Sequence, residues 1–521
     1  MLLISRRAVM AGAGAAAASL SFSDFSLAQG ARKVLIIASG QDIPNFDPHV
    51  TTGYSPAWMM RNVYDSLVRV EGNPPQPVPG LAQSWTTSPD GTTFTFKLNP
   101  AARFHDGSPV DAAAVKYSFD RIMRLKKGNG WMVNSVLGPD SIKVIDPTTI
   151  EFKLVKPFVA FLQVLPWQWV VNPKLVDANK GTDDGQAWLA NNIAGSGAFV
   201  LKRAEPGNLY ELERASDAWR QGGGNVSSVI WQIVRETVKQ RNMIQTGQVH
   251  MAMDLTSEDM DALKGKPGVD LIIEPEFRTF SIKMNTENGP LKDINLRRAV
   301  SYAFDYNAML ELAGYADLMT GPLPNGIFGF DPDLKVPRTD LGMAKEFLAK
   351  TSTPNGGFKL TIMHVTGLEQ QRRWCLVLLD SLKKLNIDLD IKPMVWPDMV
   401  ASTKTPQTAP DFFPVYQTAN FGDPDNIAFA AYDSANNGNW QNMVYKDPKV
   451  DDLIERGRAE PDPVKRAAIY RQMQEQIVAD APDIFGVLEK RKLAIRSDVQ
   501  NFKFVPIASN APELFDLSLK S

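Results

Sequence analysis

The 521-residue chain contains a single cysteine, Cys375, so no disulfide can close within it. Its four histidines, His49, His105, His250 and His364, are scattered singly, without the spacings that gather a metal ion. Neither sign of charge dominates: 56 Lys and Arg face 58 Asp and Glu, and a net charge of −2 points to no nucleic-acid partner. No GxxxxGK(S/T) phosphate loop, no GxGxxG after a strand, no GxSxG elbow and no HExxH occurs. The sequence signals of nucleotide binding, serine hydrolysis and zinc proteolysis are therefore missing. No catalytic residue, metal ligand or cofactor is assigned, and the chain is not expected to be an enzyme. Beyond the N-terminus no segment is apolar over the roughly 18 residues that a membrane helix needs.

What is present begins with an export signal. "MLLISRRAVMAGAGAAAASLSFSDFSLAQG" opens with Arg6 and Arg7, continues through an Ala-rich apolar run from Ala8 to Leu20, and offers Ser26-Leu27-Ala28 as a cleavage site. Residues 1–28 are accordingly set apart as a signal peptide, and Ser5-Arg6-Arg7 resembles a twin-arginine signal. The mature chain is expected in the periplasm.

A composition of 44% hydrophobic and 22% charged residues is that of a globular chain, and its length calls for two or three domains. "KVLIIASG" reads as a buried strand. Trp58, Val63, Tyr64, Leu67 and Val68 recur at helical spacing, so a helix ending at Gly72 is predicted. "TSPDGTTFTFKL" alternates with Phe94, Phe96 and Leu98 on one face, and Asp111 caps a helix carrying Val115, Phe119 and Ile122. Ile142 to Leu154 form a hairpin, and Cys375 falls in a helix over 370–384 as a small buried hydrophobe. The stretch around "GFKLTIMHV" and "IDLDIKPMVW" has the strand–helix–strand order of a parallel sheet. Two strands are predicted around "GVLEKRKLAIR".

The order of "NFDPH" (45–49), "NVYDSLVRV" (62–70), "GLAQSWTTSPDGTTFTFKLNPAARFHDGSPVDAAAVKYSFDRI" (80–122), "GSGAFVLKR" (195–203), "NLRRAVSYAFD" (295–305) and "KDPKVDDLIERGRAE" (446–460) resembles the family 5 extracellular solute-binding proteins, the peptide/nickel class serving ABC importers. The resemblance implies an α/β, two-lobe periplasmic-binding-protein fold of type II with an additional third domain and mixed sheets flanked by helices. Residues 31–75, 195–284 and 496–521 are assigned to lobe I, 76–194 to the extra domain, and 285–495 to lobe II, with hinges near Lys283–Asn285 and Arg491–Arg496. The implied partners are a peptide or small-molecule ligand and an ABC permease in the inner membrane, with a monomeric binding protein delivering one to the other.

In peptide-binding relatives, the resemblance implies, the segment matching "YQTANFGDPDN" lies at the cleft, and an aspartate four residues before its proline pairs with the peptide ammonium. Counted back from Pro424, that position is Asn420. Dipeptide-binding relatives resemble the chain without a gap over 372–396, and their carboxylate-binding arginine falls at Val365, beside His364. Both charge-reading positions are neutral. An amide orients polar groups but carries no charge, so the expected ligand is a modified or blocked peptide or a neutral polar molecule. The candidate ligand-binding residues are Asn420, Phe421, Trp396, Tyr416, Tyr54, Phe46, Trp440 and His364, with Asp423 and Asp425. The alternative is an ordinary di- or oligopeptide whose ammonium is read by Asp423 or Asp425. Metal or metallophore capture through His364 and a periplasmic enzyme rank lower. His105 and Asp106 of "FHDG" are expected to be structural.

Overall fold

The computed structural model describes residues 33–507 and 513–520; the export signal lies outside the described residues. An eleven-stranded mixed sheet runs through the molecule, in the order 387–394, 358–365, 412–418, 269–284, 483–496, 251–252, 34–39, 228–233, 209–214 and 199–205, with 316–318 added on 483–496. Parallel pairing occurs in two separate groups of strands. Val34–Ser39 lies parallel to both Ser228–Ile233 and Met251–Ala252, and Phe358–Val365 lies parallel to Ile387–Met394. Val34–Ser39 is mostly buried, whereas Phe358–Val365 buries alternate residues, Leu360, Ile362 and His364.

Two long antiparallel strands, Val269–Met284 and Asp483–Arg496, join these groups. Over Val269–Pro275 the first pairs only with the second, whereas over Arg278–Met284 it also pairs with Phe412–Thr418. The ladder breaks register between Pro275 and Arg278, where proline supplies no amide hydrogen. The sheet therefore passes from one half to the other at 275–278 and 489–490, several residues before the hinge expected at Lys283–Asn285. Lys283 lies deep in one half, its ammonium buried 3.2 Å from Asp483. The two strands expected around "GVLEKRKLAIR" are one strand, because its charged middle stays paired with 273–278 throughout.

Residues 82–153 add a separate four-stranded sheet in the order 82–87, 93–98, 149–153, 142–146. Phe94, Phe96 and Leu98 are buried on its inner face, as their alternation requires. The helix Ala112–Leu125 lies on it, capped by Asp111, whose carboxylate accepts from the Ala114 amide at 2.8 Å. Phe119 meets Phe152 there at 4.8 Å. This segment shares one continuous core with the strands at 34–39 and 199–231, while the 280–391 region has a core of its own.

The helix predicted to run to Gly72 stops at Val63, and Val68–Glu71 is a strand. The "GSG" motif supplies the reason. A Cβ on Gly195 would stand 1.9 Å from the Val63 carbonyl oxygen, so only glycine lets these backbones meet, and the meeting ends the helix.

"NFDPH" and "FDRI" meet in a fully buried clamp. Arg121 donates from Nη1 and Nη2 to the two Asp47 oxygens at 2.9 and 2.6 Å. Its Nη1 also lies 2.9 Å from His49 Nδ1, and His49 Nε2 donates to the Trp169 carbonyl at 2.9 Å. The imidazole is neutral, since burial and the adjacent guanidinium push it down to about 4. In "FHDG", His105 donates to the Gly197 carbonyl at 2.8 Å and Asp106 closes a turn on Ser108. Cys375 is buried, with a thiol pushed up to about 12 by desolvation.

Candidate functional site

Open α/β sheets take ligands in the crevice outside the carboxyl ends of their parallel strands. Here the two parallel groups end at Ser39 and Ala252 in one half, and at Val365, Met394 and Thr418 in the other. On the first side Asp254 fixes the loop, accepting from the Gly40 amide at 2.7 Å and the Ser39 hydroxyl at 3.1 Å. On the second side the strand Phe412–Thr418 runs directly into the predicted anchor segment.

That segment joins the halves. The Asn420 carbonyl accepts from the Trp167 indole at 2.6 Å, and its amide N–H donates to Asn426 at 2.9 Å. Its side-chain amide has no hydrogen-bond partner among the described residues. Phe421 is 1% exposed and belongs to the core of the opposite half. Gly422 abuts Pro75, and nearby the Val159 amide donates to the Arg458 carbonyl at 2.9 Å. The two aspartates lie in buried ion pairs. Arg466 donates from both terminal nitrogens to Asp423 at 2.7 Å, and Arg458 Nε lies 2.9 Å from Asp425. Burial pushes the Asp425 carboxyl upward, and the Arg458 charge opposes that shift. Arg458 also sits 4.0 Å over the Phe429 ring. Pro424 and Asp425 start the helix Asp425–Tyr432.

The remaining candidates are distributed unevenly. Trp396, 39% exposed, stands just past the end of Ile387–Met394 and meets Trp440 edge-on at 5.3 Å. Tyr416 is half-buried, between Phe280 at 4.9 Å and the Arg278 guanidinium at 4.5 Å. His364 is buried at the end of its strand, with Nδ1 3.3 Å from the Val365 carbonyl. Phe46 is buried edge-on against Tyr210 in the first core. Tyr54 opens the helix Tyr54–Val63, and its side chain lies outside the described positions. Arg372 and Arg373 are exposed on the first turn of a helix, at 2.8 and 3.5 Å from Glu369. The fold thus brings Trp396 to Trp440 and sets Asn420 and Phe421 at the seam between the halves, while Phe46 packs in a core.

Sequence reasoning missed the charged group at the strand crossing. Glu276, Arg278, Glu489, Arg491 and Lys492 interact there, with Arg278 3.2 Å from Glu489. Glu276 is buried, and desolvation raises its carboxyl above the ordinary range. Burial likewise lowers Lys492. The available signal was "EPEFR" and "EKRK", runs of charge set inside otherwise apolar strands.

Comparison with known proteins decides what such a crevice belongs to. The profile "Bacterial extracellular solute-binding proteins, family 5 Middle" matches residues 76–439. The chain belongs to that family. It is 28% identical to a probable D,D-dipeptide-binding periplasmic protein of Escherichia coli K12 over 91% of this chain and 92% of that one. It is 25% identical to a glutathione-binding protein of Pectobacterium atrosepticum, over 91% and 92% of the two chains. A periplasmic binding protein of Helicobacter pylori solved with a bound peptide has the same fold, with TM-score 0.81 at 23% identity over 94% of this chain and 99% of that one. The family 5 chain is thus a solute-binding protein with the mixed α/β fold of periplasmic binding proteins. Among the described residues of this family 5 member no helix is long and apolar enough to cross a membrane, and no three His, Cys, Asp or Glu converge as a metal site.

Proposed function

We propose that this family 5 protein is the substrate-binding component of an ABC importer, enclosing a modified or blocked peptide or a neutral polar molecule and delivering it to the permease. The observation that carries the reading is Asn420. It stands at the seam between the halves, at the position where the resemblance places the ammonium-reading aspartate, and its side-chain amide is unengaged by the protein. Asp423 and Asp425 are held by Arg466 and Arg458, which leaves an incoming ammonium no free carboxylate in this segment. The two relatives named for their ligands support the same class, because a D,D-dipeptide and glutathione both depart from an ordinary dipeptide in stereochemistry or linkage.

In this reading, residues up to 75, 195 to about 275 and the chain after about 490 form one lobe, residues from about 278 to 489 the other, and 76–194 the extra domain. The lobes close about the strand crossing, Trp396 and Trp440 line the mouth with flat apolar surface, and binding without turnover is the whole activity of a monomer. A thermal-shift panel tests the ligand class. N-acetylated, D,D- or γ-linked peptides are expected to stabilise the mature protein by about 2.7 kcal/mol at 100-fold excess over Kd. Stabilisation by unmodified L-dipeptides alone would sink the reading. Export by the twin-arginine route belongs to it as well. Replacing Arg6 and Arg7 with lysine is expected to hold the precursor in the cytoplasm, and undiminished periplasmic protein on fractionation would count against that route.

A further inference from the structure

At the strand crossing, two buried donors from different segments point at nothing the protein supplies. Arg491 reaches across from the strand Asp483–Arg496, its Nη2 donating to the Met253 carbonyl at 2.8 Å, and its guanidinium lies 5.2 Å from the Trp58 ring centre. Arg491 Nε and Trp58 Nε1 are both buried, and neither has a hydrogen-bond acceptor among the described residues. Trp58 is itself 3% exposed. Buried donors are almost always paired, so adjacent unpaired ones call for an acceptor from outside the chain. Their position fits one. Met253 directly follows the carboxyl end of Met251–Ala252, the end of the parallel strands at which such sheets take ligands.

The donor itself favours one kind of acceptor. Arg278 and Glu489 pair with each other. Arg491 and Lys492 lie beside the buried carboxylate of Glu276, and Lys492 is also drawn by Glu489 and Glu258. A guanidinium holds an ionised acceptor more strongly than a neutral one.

We propose that Arg491 and the indole N–H of Trp58 receive a carboxylate of the bound solute. The proposal rests on the reading that the crevice holds a peptide-like molecule, and it adds the end of that molecule by which the protein knows it. Carboxylate recognition is displaced from the position of Val365 to the strand crossing, so one charged end is read there and none is read at Asn420.

Titration calorimetry with three probes tests this: N-acetyl-D-alanyl-D-alanine, its C-terminal amide, and glutathione. The wild-type protein is expected to bind at least one free acid, and the acetylated acid roughly 100-fold more tightly than the amide, as a charge-assisted hydrogen-bond pair implies. Arg491→Gln is expected to remove most of that difference while changing amide affinity by less than about 3-fold. Trp58→Phe, which keeps an aromatic ring and removes the donor, is expected to weaken acid binding roughly 10-fold. If Arg491→Gln does not fold, the acid–amide ratio and Trp58→Phe decide alone. Equal binding of acid and amide, or an acid–amide ratio untouched by these substitutions, overturns the carboxylate assignment and leaves the peptide reading standing. No binding of any of the three probes overturns both.

Discussion

Arg121→Ala is expected to destabilise the protein by about 3–5 kcal/mol, the cost of leaving a buried partner unpaired, measured by urea denaturation at neutral pH. Arg121 and Asp47 have fully buried side chains, so no water replaces the lost bonds. The guanidinium also donates through Nε to the Asp184 carbonyl at 2.9 Å, tying three stretches of chain together. A change below about 1 kcal/mol would show that the clamp is not structural. The double variant Arg121→Met with Asp47→Leu is expected to recover much of the loss, because an apolar pair of similar volume avoids the desolvation penalty. The clamp also predicts a pH dependence. His49 titrates near 4 in the folded protein, below its unfolded value near 6.5. Its contribution is therefore complete above about 6.5 and is lost as pH falls toward 4, by about 3 kcal/mol in all. The chemistry is direct: protonating Nδ1 would set a second N–H against Arg121. In His49→Gln that part of the acid sensitivity is expected to disappear.

Asp423→Asn is expected to cost a comparable amount, about 3–5 kcal/mol of stability, by stripping the charge opposite a buried Arg466 that also donates to the Gly457 carbonyl at 2.7 Å. Its readout separates two roles. If Asp423 serves the anchor segment as a structural ion pair, denaturation midpoints fall and the affinity of the remaining folded protein for a bound peptide is little changed. If it reads a ligand ammonium, peptide affinity falls by about 2–5 kcal/mol while stability holds. The second outcome would restore the ordinary-peptide alternative. The first is expected, because both carboxylate oxygens are already within 2.7 Å of Arg466 nitrogens.

Much of this molecule was legible in order and pattern. The alternation of Phe94, Phe96 and Leu98, the cap at Asp111 and the 142–154 hairpin are local features, set by a two-residue or 3.6-residue period and by turn chemistry, and each is in place. The helix over 54–63 was overextended because Leu67 and Val68 continue a helical spacing, while the glycines that stop it lie 130 residues away. The crossing of the long strands was hidden for a similar reason. A polar turn at Asn285 looks like the end of a strand, whereas the change of partners at 275–278 depends on which strands lie alongside.

The candidate site divides the same way. Asn420 is found by counting from a proline, and its neutrality is a property of the sequence. The ion pairs of Asp423 and Asp425 join residues some 33 to 43 positions apart, and no spacing announces them. Arg491 and Trp58 are separated by more than 400 residues, and each taken alone reads as an ordinary strand charge or helix aromatic.

By itself, then, the sequence determined the family, the strand and helix content and the loss of charge at Asn420, since these rest on residue identity and short-range periodicity. Only the tertiary structure decided which aspartates are already paired, where the two halves join, and which buried donors lack acceptors. Burial and pairing are relations between distant segments, and a charge acquires its meaning here only from what the folded chain places opposite it.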